Sequence, residues 1–171
     1  MLVTFNFDNF SDILAFLKVV NLPSSLKCYG KILDTSYEVN LFYLDGSIIG
    51  AEGDKDPISS LLDVFFMEGA MCEITFTSYS AVSSRFNPDI AVFNLESELA
   101  YAKSVFSHSS FSVNLNIEAD FISLSTDEIR ILSCVTDHSP LVYIVKNSPL
   151  GFGKTLLTLG RMVEKGFIIA H

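Results

Sequence analysis

Residues 141–157 read LVYIVKNSPLGFGKTLL: an apolar β-branched run, a Gly-containing turn, then Gly153-Lys154-Thr155 opening a helix-like segment. A phosphate-binding loop starts this way, with backbone N–H groups wrapped round a phosphate and a lysine reaching it. The pattern requires a glycine where Ser148 stands, and it belongs after an early strand of a parallel sheet. The sixteen residues after Thr155 are too few for another strand–helix unit to supply a magnesium-holding carboxylate. The segment is therefore expected to be helix (139–147), turn (Asn147–Gly151), helix (152–165), with no nucleotide and no cofactor.

The other reactive types are weighed the same way. Asp137-His138-Ser139 has triad residue types, but sequence neighbours cannot face one another as nucleophile, base and orienter, so a surface turn is expected. Cys134 and His138 have the i, i+4 spacing that a metal bridges, yet no second pair accompanies them. Asp54 and Asp56 lack the further oxygen ligands and the glycine of a calcium loop. No metal site and no catalytic residue are expected. Lys154, Arg161 and Lys165 share the last predicted helix and have two readings: contacts to nucleic-acid phosphates, or the ordinary charges of a soluble helix, partly offset by Glu164. Leu95, Leu99, Ala102 and Phe106 form a narrow apolar stripe. It reads as a homodimer seam or as packing on the chain's own domain.

Positioning such groups requires a core, and 171 residues, nearly half of them apolar and fifteen of them Phe, can build one medium domain or two small ones. The net charge of −9 concentrates before residue 107, with 14 acidic against 6 basic residues, and after it the balance is 6 against 5. Neither part has the basic surplus of a strong nucleic-acid binder. Cys28, Cys72 and Cys134, odd in number and far apart, suggest reduced thiols in a cytoplasmic protein. No apolar stretch is long enough for a membrane span and no signal sequence begins the chain. The Asn9-Phe10-Ser11 sequon then carries no meaning.

Residues 9–20 predict a helix with Ser11 or Asn9 as its cap and Ile13, Leu14, Phe16, Leu17 and Val20 on one stripe. Pro23 and two serines end it. KILD and VNLFYLDGSIIGA predict strands, with Asp45-Gly46 as a hairpin turn. Asp56-Pro57 opens a second helix, whose face is Ile58, Leu61, Leu62, Phe65 and Phe66 and which Gly69 closes. Residues 71–76 are a strand and 78–89 a polar separator. A helix starts near Asn94, and SHSSFS (107–112) reads as the linker between domains 1–107 and 108–171. Ser125–Glu128 is a capping box ahead of Ile129, Leu132 and Val135. Two more helices and the strand FIIA complete a winged-helix-like plan, in which too little chain remains for a two-stranded wing. The fold class predicted is α+β.

The pieces DILAFL, YGKIL with Gly30, LFYLDGSIIGAEG and ISSLLDVFFMEGAMCEITF, in that order, resemble the bacterial PatA N-terminal (PATAN-type) domain, a domain of unknown function. NLESELAYAKSVF resembles the helix that often follows it. Residues 124–168 resemble the winged-helix-like unit found downstream. The chain departs from the family in having Val64 and Phe65 where a Trp is frequent, and Asp56-Pro57 in place of a glycine. The resemblance implies a regulatory module near two-component, motility or polarity systems that works through protein contacts, without catalytic residues. The expected function is thus a non-enzymatic signalling adaptor. The alternative is a transcriptional regulator binding DNA through the C-terminal helices.

Overall fold

The computed structural model describes residues 2–6, 10–115 and 124–171, which fall into two compact units, Met1–Phe93 and Asn94–His171. Helices and antiparallel strands together make the chain α+β. The first unit runs β1 (Leu2–Asn6), α1 (Phe10–Val20), β2 (Ser24–Ile32), β3 (Thr35–Leu44), β4 (Ser47–Glu52), α2 (Pro57–Val64), β5 (Glu68–Phe76), α3 (Tyr79–Ser83) and α4 (Pro88–Ala91). Its strands form one antiparallel sheet in the order β1-β5-β2-β3-β4.

Period-two alternation gives this sheet two unlike faces. Ile74, Leu26, Leu41 and Ala51 align across four strands, all buried, while the adjacent row on the other face is Glu73, Lys27, Asn40 and Glu52. The apolar face packs with α2, whose Leu61 and Leu62 are buried, and α1 joins through Phe10, edge-on to Phe65 at 5.0 Å. The hairpin turn is where the sequence puts it, with Asp45 and Gly46 both at positive φ (49° and 86°). Asp56 caps α2, accepting hydrogen bonds from the Ser59 N–H and hydroxyl, ahead of Pro57.

Several boundaries differ from expectation. Ser24, expected to end the first helix, starts β2 and is buried, because its hydroxyl donates locally to the Leu22 carbonyl at 2.7 Å. Ser11 lies inside α1, and Asn9 lies outside the described residues. Gly69 belongs to β5, since α2 has already closed through i→i−3 bonds from Phe65 and Phe66. The polar separator contains two short helices, α3 and α4, capped by Ser78 and Asn87. The expectation of three free thiols is overturned. Cys28 on β2 and Cys72 on β5 are register partners with Cα atoms 4.2 Å apart, joined in a disulfide, and only Cys134 is free.

The second unit runs α5 (Leu95–Ser104), a 3-10 turn (Val105–Ser107), β6 (Ser110–Val113), α6 (Thr126–Leu132), β7 (Ser139–Pro140), α7 (Leu141–Asn147), α8 (Phe152–Glu164) and β8 (Ile168–Ala170). Its three-stranded sheet has β6 in the middle, between β7 and β8. The expected linker therefore holds the central strand, with Phe111 fully buried, and the division of the chain falls at 93/94 instead of 107/108. The capping box of α6 is present, with Ser125 and Glu128 bonding each other's backbone N–H. Its buried face differs from the one expected: Ile131 is fully buried and Ile129 is 56% exposed. Glu128, paired with Lys165, is buried with Ile131, and of the expected face only Val135 is buried.

Candidate functional site

The would-be recognition helix, α8, is enclosed. Gly153, Thr155–Gly160 and Met162 are buried, and only Glu164 and Lys165 are exposed. One wall is α5: a Cβ on Gly160 would collide with the Tyr101 carbonyl, so glycine is what lets the two backbones approach. The apolar stripe supplies this contact. Leu99 and Ala102 are buried and Leu95 is half-buried, while Phe106 is 52% exposed. Of the four residues expected as a homodimer seam, Leu99 and Ala102 are thus core of their own unit.

All three cations of α8 are paired within the unit. Lys154 meets Asp127 at 3.1 Å, Lys165 meets Glu128 at 2.5 Å, and Arg161 pairs with Glu98. Burial pushes the Glu128 carboxyl up, but the Lys165 ammonium and the Ser125 N–H and hydroxyl outweigh it and hold the group below its ordinary value. These pairs tie the helix to Glu98 of α5 and to Asp127 and Glu128 of α6.

The loop before Gly153-Lys154-Thr155 follows a helix, α7, and not a strand. Ser148 Oγ accepts from Thr155 Oγ1 at 2.8 Å, so the two hydroxyls staple the α7–α8 turn to itself. Asp137, His138 and Ser139 diverge. Asp137 Oδ1 lies 3.7 Å from His138 Nε2, whereas Ser139 Oγ bonds Thr136. Cys134 points inward, its Sγ 3.3 Å from the Arg130 carbonyl and 3.4 Å from that of Asn147, either of which can accept its one S–H. His138, at φ 53°, instead packs its ring 4.6 Å from that of His171, whose Nε2 bonds Ser112 Oγ at 2.8 Å. Only the fold brings Ser112 and His171 together. The group packed beside that imidazole is the second imidazole, His138. The Ser112–His171 bond ties β8 to β6. Asp54 lies in the loop after β4, away from any ligand set, and among the described residues no three His, Cys, Asp or Glu side chains gather as a metal site.

One concave surface is a feature the sequence did not flag. Phe42 and Leu44 emerge on the otherwise polar face of the first sheet and are covered by Val82 of α3, with Ile49 packed alongside. Beside this cluster runs a groove of about 500 Å³ lined by Leu44, Ile48, Ile49, Tyr79, Phe86 and Ala91, with the polar Asp45, Ser47 and Ser83 among them. Its rim stays open to solvent: Tyr79 is 59%, Phe86 57% and nearby Val92 84% exposed. The signal missed was Tyr79, Phe86 and Val92 within a stretch otherwise rich in Ser and Asn.

Comparison of the chain with family models, with curated proteins and with solved structures returns no match. Among the described residues no helix is long and apolar enough to cross a membrane.

Proposed function

We propose that the protein is a non-enzymatic adaptor of PATAN type, joined to a winged-helix-like unit, which acts in bacterial signalling by binding another protein through its first unit. The observation that carries this is the groove with its exposed rim of Tyr79, Phe86 and Val92. Aromatic side chains left more than half exposed around a concave apolar floor are what protein interfaces use as anchors. The paired cations and enclosed faces of α8 support this reading over the DNA-binding one. The test is affinity capture from the native cell extract with wild-type protein and with Phe86→Asp. The reading expects a discrete protein retained by the first and lost from the second.

A cytoplasmic location belongs to the same proposal. The Cys28–Cys72 bond is the feature against it, because disulfides persist mainly in oxidising compartments. Alkylation in rapidly lysed cells decides the point: a cytoplasmic protein yields three modified cysteines, an exported one yields one.

A further inference from the structure

We infer that the groove beside α3 and α4 receives a basic amphipathic helix of a partner protein; this rests on the adaptor reading above and specifies its ligand. Three observations set the class of occupant.

The first is shape. A small molecule is normally enclosed over most of its surface, whereas here both aromatic walls, Tyr79 and Phe86, remain more than half exposed. An open trough of about 500 Å³ with apolar residues along its floor accommodates the few anchor side chains that a helix presents at i, i+3, i+4 and i+7.

The second is the state of the sheet edge. β4 is the outermost strand, and an extended peptide would have to pair with it. That edge is occupied at Ile49, whose carbonyl accepts from the Asn87 N–H at 2.7 Å, and the Arg85 carbonyl packs on the face at Gly50, where no Cβ would fit. Strand addition is blocked where the groove begins, which leaves insertion of side chains from a helix.

The third is charge. On the elements that form the groove, the charged groups are Glu38 on β3 (paired with Lys27 at 2.9 Å), Asp45 in the hairpin turn, Glu52 on β4, Arg85 after α3 and Asp89 on α4. Arg85 is paired with Glu52 at 2.8 Å and lies over the Phe42 ring at 5.6 Å. Asp45 and Asp89 are exposed, and no ion pair is formed by either among the described residues. Asp45 lines the groove and Asp89 stands on α4, two residues before the lining Ala91, so the charge left without an ion pair on these elements is negative, within a unit whose sequence carries 12 acidic against 5 basic residues. A helix with an apolar stripe and flanking lysines or arginines complements it, and the attraction fades with salt.

The test uses three 18-residue probe peptides with the same leucine stripe and lysine, glutamate or glutamine on the other face, titrated into the full chain by fluorescence anisotropy. The lysine peptide should bind at least tenfold more tightly than the glutamate peptide, with the gap closing as salt rises. Binding should weaken at least tenfold in Tyr79→Ser and in Phe86→Asp, both checked for native circular dichroism. Phe86→Asp adds negative charge, so a merely electrostatic association would strengthen there and would overturn the inference. Equal binding of the three peptides, or none, also overturns it. The adaptor reading stands in either case if the captured protein is still lost from Phe86→Asp. A wild-type dimer in sedimentation that Phe86→Asp converts to monomer would assign the groove to a second copy and overturn it as well.

Discussion

Glu128 receives the Ser125 N–H as half of a capping box and the Lys165 ammonium as half of an ion pair, with its side chain only 8% exposed. Its carboxyl pKa is depressed in the folded state. A depressed acid contributes stability that is fully present above the unfolded value of about 4.3 and is lost as pH falls through the folded one. Thermal unfolding of the second unit should therefore be level above about pH 5 and fall below it. Glu128→Gln should lower stability at neutral pH by roughly 1–3 kcal/mol and flatten that acid limb. Gly160 makes a separate prediction. Since a Cβ there meets the Tyr101 backbone, Gly160→Ala should destabilise by about 1–3 kcal/mol in urea titration, although alanine is the better helix former.

Among the elements, α5 changes its meaning most between sequence and structure. Its stripe of Leu95, Leu99, Ala102 and Phe106 is equally compatible with a seam between copies, because periodicity reports that a face is buried and not by what. Here the answer is α8. Leu99→Glu should accordingly unfold the second unit, which circular dichroism and calorimetry would show, instead of yielding a well-folded monomer. Leu99→Ala should cost about 2–5 kcal/mol. Elements with local chemical signatures were legible: the Asp45-Gly46 hairpin, the Asp56-Pro57 start of α2, the Ser125–Glu128 box. What was not legible depends on partners distant in sequence. Ser110–Val113 is too short and polar to announce a central strand, and it becomes one by pairing with β7 and β8. Cys28 and Cys72 are 44 residues apart and meet through the register of β2 against β5. Closing a loop of that length is worth up to roughly 4 kcal/mol in the chain-entropy view, so reduction should lower the melting temperature of the first unit and leave the second unchanged.

For the molecule as a whole, the proposal is that function lies in the first unit's groove, while in the second unit Lys154, Arg161 and Lys165 are each paired with a carboxylate of that unit. The sequence supplied the balance of charge and the α+β class but not the groove, which exists only because α3 and α4 fold over β4. The most direct measurement is affinity capture from native extract by wild-type, Phe86→Asp and Arg161→Ala proteins run side by side, with retained protein and DNA both quantified. The account predicts one principal protein partner, kept by Arg161→Ala and lost from Phe86→Asp, with no enrichment of genomic fragments. Salt-sensitive recovery of specific DNA that survives Phe86→Asp and disappears with Arg161→Ala would contradict it.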